Sequence, residues 1–175
     1  MRQELTQAIE NTARAVVNDI HTALPGEIVS FDADKNMAVV HPVGKFVTTD
    51  GTSFDYPQIA DVPLVFPYCA TANVGIAFPV KAGDSCIIII SETELDEWRS
   101  GAVSEGPLRF DLTSAVAIPG LLKQGNGLVS KAVTENSVVV GAGNTLFSVS
   151  ENGIAVRGDL KVEGNISYTE SLIKL

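Results

Sequence analysis

Basic side chains, histidine, cysteine and long apolar runs are all scarce in this chain, and each scarcity excludes a class of function. Twelve Lys and Arg stand against 21 Asp and Glu in 175 residues, a formal charge of −9. An acidic chain is a poor partner for a phosphate backbone, so nucleic acid is not an expected ligand. The two histidines, His21 and His41, stand alone. The two cysteines, Cys69 and Cys86, are too far apart for a zinc knuckle or redox dithiol and read as buried thiols of a reducing compartment. No apolar run approaches the roughly 18 residues of a membrane span, and no charged-then-apolar leader opens the chain. Synthesis as a soluble product in the cytoplasm is the expectation.

Proline is absent after Pro119, and charge is unevenly spread. Residues 25–120 hold thirteen acidic and five basic groups, whereas residues 121–175 hold five of each. The middle and the last third are therefore different kinds of structure. Residues 1–24 form a third segment, with Leu5, Ala8, Ile9, Ala13, Val16, Val17 and Ile20 at the spacing of an amphipathic helix that Leu24-Pro25-Gly26 ends. One such helix cannot bury its own stripe and must dock elsewhere.

The middle reads as short strands at Glu27–Phe31, Met37–His41, Lys45–Thr48, Ser53–Ile59, Val62–Phe66, Ile76–Val80 and Ser85–Ser91. Asp32-Ala33-Asp34-Lys35-Asn36 and Asp50-Gly51 carry turn chemistry. Prolines at strand borders suit an OB-fold-like antiparallel barrel over residues 25–121. Glu92–Ser100 follows as one short acidic helix bearing Leu95 and Trp98.

Residues 122–175 repeat with a period of about six. Apolar pairs recur at Val138/Val140, Phe147/Val149, Ile154/Val156, Leu160/Val162 and Ile166/Tyr168, and Leu172 keeps the spacing. Such a period signals fibrous β structure. Two apolar side chains per strand cannot enclose a core in one chain, nor satisfy the strand edges. Three chains wound about one axis remove the difficulty, and the ten paired residues then form a trimer core. Six or seven layers of about 5 Å give a shaft of roughly 30 Å, with Gly158 and Gly164 at its corners. The alternative is a meander packed on the barrel.

Leu24-Pro25-Gly26 before a strand, Asp61-Val62-Pro63-Leu64-Val65-Phe66-Pro67, Phe78-Pro79-Val80-Lys81-Ala82-Gly83-Asp84 and Asp111-Leu112-Thr113-Ser114-Ala115-Val116-Ala117-Ile118-Pro119-Gly120-Leu121 resemble, in order and spacing, the central spikes of contractile phage tails. The glycine-spaced stretch Gly158–Ile166 resembles their shafts less specifically. The resemblance implies a mostly β homotrimer in which an N-terminal helix and OB-fold-like barrel meet a baseplate hub. An intertwined triple-stranded β-helix then points at the host envelope and pierces it when the sheath contracts. It implies a virion protein at the tail tip and no catalytic residues. Many such spikes hold iron at a terminal His-x-His motif; His21 and His41 form none, so no metal or cofactor is expected, and a blunt end, a shorter shaft or a separate tip protein remain as alternatives.

Other chemistry has weaker support. Glu92, Glu94, Asp96 and Glu97 read as a solvated helix face, His41 as a strand histidine without a nucleophile motif, and Gly141-Ala142-Gly143-Asn144 as a turn lacking the Lys-Ser/Thr of a phosphate loop. Two other function classes stay open. A barrel of this type can bind oligosaccharide or nucleic acid, and a tail enzyme could cleave glycans with a carboxylate pair. The acidic barrel without interleaved basic and aromatic residues disfavours the first. The short tail leaves little room for the groove of the second.

Overall fold

A computed structural model describes residues 2–18, 20–48, 51–103 and 109–169. Asp50 and Leu172, read above as a turn residue and a repeat position, lie outside them. The chain divides into two compact units, residues 1–123 and 124–175.

The first unit opens with α1 (Arg2–Asn18), then β1 (Ala23–Asp32), β2 (Met37–Pro42), β3 (Lys45–Val47), β4 (Ser53–Asp55) and β5 (Ile59–Pro63). There follow β6 (Tyr68–Cys69), β7 (Val74–Gly75), β8 (Ser85–Ile90), α2 (Leu95–Arg99) and β9 (Ala115–Pro119). The helix is shorter than the sequence suggests, and Leu24-Pro25-Gly26 belongs to β1. Pro25 is tolerated there because its carbonyl, accepting from Val43 N at 2.7 Å, faces the side where β2 has already ended. Its missing N–H falls on that same side. Ile76–Val80, read as a strand, forms none.

The protein is mostly β. Five strands in the order β5-β2-β1-β8-β9 form a curled antiparallel sheet, a half-barrel. Strict alternation builds its core: Ala38, Val40 and Pro42 of β2 and Cys86, Ile88 and Ile90 of β8 point inward, beside Ile28, Val62 and Ala117. Each fully buried large aliphatic side chain contributes about 1.5–3 kcal/mol. Gly26 gives Ile88 its space, since a Cβ there would stand 2.4 Å from Ile88 Cδ1. The two edges of the sheet meet at one parallel bridge, Leu64 to Ala117, where Val65 N donates to Ala117 O at 2.9 Å.

The motifs that resemble phage spikes have physical jobs here. The Asp111 carboxylate accepts from Thr113 Oγ1 at 2.6 Å and Thr113 N at 2.9 Å, fixing the turn into β9. These bonds hold its pKa below the usual carboxylate value. Lys81–Asp84 is a turn pinned to β1 by Gly83 N to Ile28 O and Ile28 N to Asp84 O, both 2.8 Å. Asp32 accepts from Asp34 N and Lys35 N in the β1–β2 turn, and its pKa is lowered by the Lys35 bond.

The second unit contains α3 (Gly127–Thr134), β10 (Val138–Ala142), β11 (Thr145–Ser150) and β12 (Gly153–Arg157). The three strands pair within the chain as an antiparallel meander, joined by two-residue turns at Gly143-Asn144 and Glu151-Asn152. The strand ladder expected between chains is thus supplied over 138–157 by the chain itself, and residues 158–169 form no strand. Gly158 and Gly164, read as corners, have φ of +119° and +143°, which favour glycine.

Candidate assembly interface

The second unit has no interior of its own, for none of its described residues is fully buried. The cause is an inverted sheet. Register places Val138, Val149 and Ile154 in one row across the three strands and Val140, Phe147 and Val156 in the next. Directly paired residues share a face, so these six apolar side chains form one continuous surface. It is open, with Val138 69% and Ile154 67% exposed and the others between 39% and 60%.

The opposite face carries Val139, Gly141, Leu146, Ser148, Ser150, Ala155 and Arg157, and there α3 lies. Asn126 caps this helix, its Oδ1 accepting from Leu128 N at 2.8 Å, and Lys131 pairs with Glu135 one turn later. Leu128 packs so near the sheet that a Cβ on Gly141 would stand 2.5 Å from its Cδ1. The helix therefore covers the more polar face, and the apolar face is left to water. Open apolar faces of this kind mark interaction surfaces.

Of the ten residues expected to line a trimer axis, six are brought together on this face. Leu160, Val162, Ile166 and Tyr168 follow on the strandless segment, all exposed, at 70%, 44%, 61% and 60%. The sequence reading missed α3 altogether. Its signal was present in Asn126 followed by Leu128 and by the good helix formers Lys131 and Ala132.

The other candidate chemistry stays dispersed. Glu92 pairs with Arg109 at 2.7 Å and Asp96 with Arg99 at 3.4 Å, at the surface. His41 lies opposite Glu27 across β1 and β2, and His21 meets the edge of Tyr56 at 5.7 Å. Among the described residues no three His, Cys, Asp or Glu side chains gather closely enough to hold a metal ion. Gly143-Asn144 is a hairpin turn. The two cysteines differ, contrary to the expectation that both are buried. Cys86 lies in the core, where burial, aided by the Glu27 charge, pushes its thiol up to about 11, but Cys69 is exposed on the β6–β7 hairpin.

The family description "Phage protein Gp138 N-terminal domain" matches residues 24–120, more than half the chain. The chain belongs to this phage protein family. The match begins at the second residue of β1 and ends one residue past β9, so it spans the whole half-barrel sheet and leaves α1 and the second unit outside. No curated protein matches the sequence. Family membership bears out the phage origin that the resemblance implied.

Proposed function

We propose that the protein is the central spike of a contractile phage tail, a homotrimer that pierces the host envelope when the sheath contracts. The observation that carries this reading is the open apolar face of β10–β12. Three copies packing these faces about one axis bury Val138, Val140, Phe147, Val149, Ile154 and Val156 together, each contributing roughly 1 kcal/mol for the area removed from water. Leu160, Val162, Ile166 and Tyr168 continue the spacing into the segment without strands, where an intertwined triple-stranded β-helix forms once all three chains are present.

The half-barrel fits an OB-type barrel in this assembly. Its strand order β5-β2-β1-β8-β9, with a parallel closing bridge between Leu64 and Ala117, supports that assignment. The barrel and α1, whose Leu5, Ile9, Val16 and Val17 are all exposed, face the baseplate hub. The spike acts through stiffness and shape and carries out no catalytic step. Antibodies against residues 124–169, applied to particles of the phage that encodes the chain, should label the distal end of the tail. Label at the head, or on the sheath, overturns the reading.

A further inference from the structure

The run Cys86-Ile87-Ile88-Ile89-Ile90 in β8 carries no hydrophilic side chain. Cys86, Ile88 and Ile90 fill the core, which leaves Ile87 and Ile89 on the outer face of the half-barrel. A sheet with one wet face sets polar residues there, whereas a run apolar on both faces belongs to a strand covered on both. The neighbouring strands repeat the pattern. Register lines up Val43, Pro25, Ile87 and Ile118 across the outer face, with Val43 N donating to Pro25 O at 2.7 Å, and pairs Ile89 with Val116 in the next row. Neither row holds a charge. Ile89 and Ile118 are 37% and 38% exposed and Val43 50%, so this face is open.

The same compact unit holds a second open apolar surface of matching size. Leu5, Ile9, Val16 and Val17 of α1 are between 58% and 65% exposed, while Gln7, Asn11 and Arg14 occupy the other side of the helix. Its 17 residues make a cylinder about 25 Å long and 10–12 Å wide. Three strands at a spacing of about 4.8 Å measure about 10 Å across, and the six residues of β8 run about 20 Å. One helix covers the face. Only residues 19–22 separate α1 from β1, within the range of connections that ordinarily join a helix to the strand it packs on. So short a tether holds the stripe beside the sheet at an effective concentration of the order of millimolar, an advantage that a helix from another copy lacks. A helix of this length also draws most of its stability from packing its apolar stripe.

We propose that in the free protein α1 folds back along the outer face of β1, β8 and β9 of its own chain, setting Val16 over Ile89 and Val116 and Ala13 towards Ile118. This seat goes beyond the spike reading and holds for a monomer or a trimer. The stripe is buried on the sheet before assembly and passes to the hub at the baseplate.

The test uses the purified full chain carrying Ala13→Cys, Ile118→Cys and Cys69→Ser, with Cys86 left in the core, treated with a short bis-maleimide, beside amide exchange on the unsubstituted chain. The seat predicts a crosslink between positions 13 and 118 of one chain, which leaves it at single-chain mass on a denaturing gel. It also predicts exchange across 8–17 at least tenfold slower than in a peptide of residues 1–18. Ile118→Asp, which puts a charge on the outer face and none in the core, should restore fast exchange to 8–17 and leave β8 protected. Covalent dimers and trimers in place of the internal crosslink assign the face to α1 of another copy and overturn the proposal. Fast exchange of 8–17 in the unsubstituted chain, without the crosslink, leaves α1 in water and overturns it. Slow exchange that Ile118→Asp does not change places the stripe on another surface and overturns it as well. The native mass, on which the spike reading turns, decides none of these outcomes.

Discussion

Phe147 lies directly opposite Val156 across β11 and β12, and both point away from α3, 42% and 40% exposed. The pair lies on a face that carries no charge, while the covered face mixes Ser148, Ser150 and Arg157 with Val139, Leu146 and Ala155. Placing a carboxylate there separates the two explanations of the surface. In a monomer it is solvated at almost no cost; on a trimer axis it puts unpaired charges in an apolar interior, a cost of several kcal/mol repeated in each copy.

Phe147→Asp together with Val156→Asp should therefore dissociate trimers without unfolding the half-barrel, read by sedimentation and by near-UV circular dichroism. Intact trimers in the double variant would remove these residues from the axis.

Gly141→Val should lift α3. The new side chain meets Leu128 Cδ1 and Leu146 Cδ2, within 2.5 and 2.6 Å of its Cβ, and overpacking of this kind costs about 1–3 kcal/mol. Amide exchange across 127–134 should quicken, with exchange in β8 unchanged. Unaltered protection of α3 would contradict its packing on Gly141.

Asp111→Ala should cost about 1–2 kcal/mol of half-barrel stability at neutral pH, by removing the acceptor of two Thr113 bonds. Because the folded pKa is lowered, the ionised carboxylate stabilises the fold fully above the unfolded value near 3.9, and that share is lost as pH falls through the folded value. Denaturant curves from pH 7 to pH 2 should show the variant and the native chain converging at the acid end. A constant gap would assign the loss to packing.

How much of this was legible in the sequence follows from the range of the forces. Period-two alternation is local, so β1, β2 and β8 and their inward residues were readable from Ile28, Val40 and Ile88. The Asp111 turn was visible as a motif, and its hydrogen bonds explain it. Three features were decided by tertiary context. Pro25 continues a strand because β2 stops short beside it. Ile76–Val80 has an alternating pattern but no neighbouring strand. Cys69 looks like a core thiol in sequence, yet its hairpin stands outside the sheet. The pairing of β10–β12 within one chain turned on two short turns, and the six-residue repeat alone is equally compatible with pairing between chains.

Removal of residues 1–18 should leave the trimer assembled and abolish incorporation into baseplates. Attachment of the full-length chain should also resist high salt, because burial of the Leu5, Ile9 and Val16 stripe is not screened. Normal incorporation of the truncated chain would reassign attachment to the barrel.

The most direct test is the native mass of the purified full-length chain in solution, by sedimentation equilibrium across a hundredfold range of concentration. The open face of β10–β12 predicts a mass three times the 18.5 kDa of the chain, independent of dilution. A stable mass of 18.5 kDa would mean that this face remains in water, and the spike reading would fall with it.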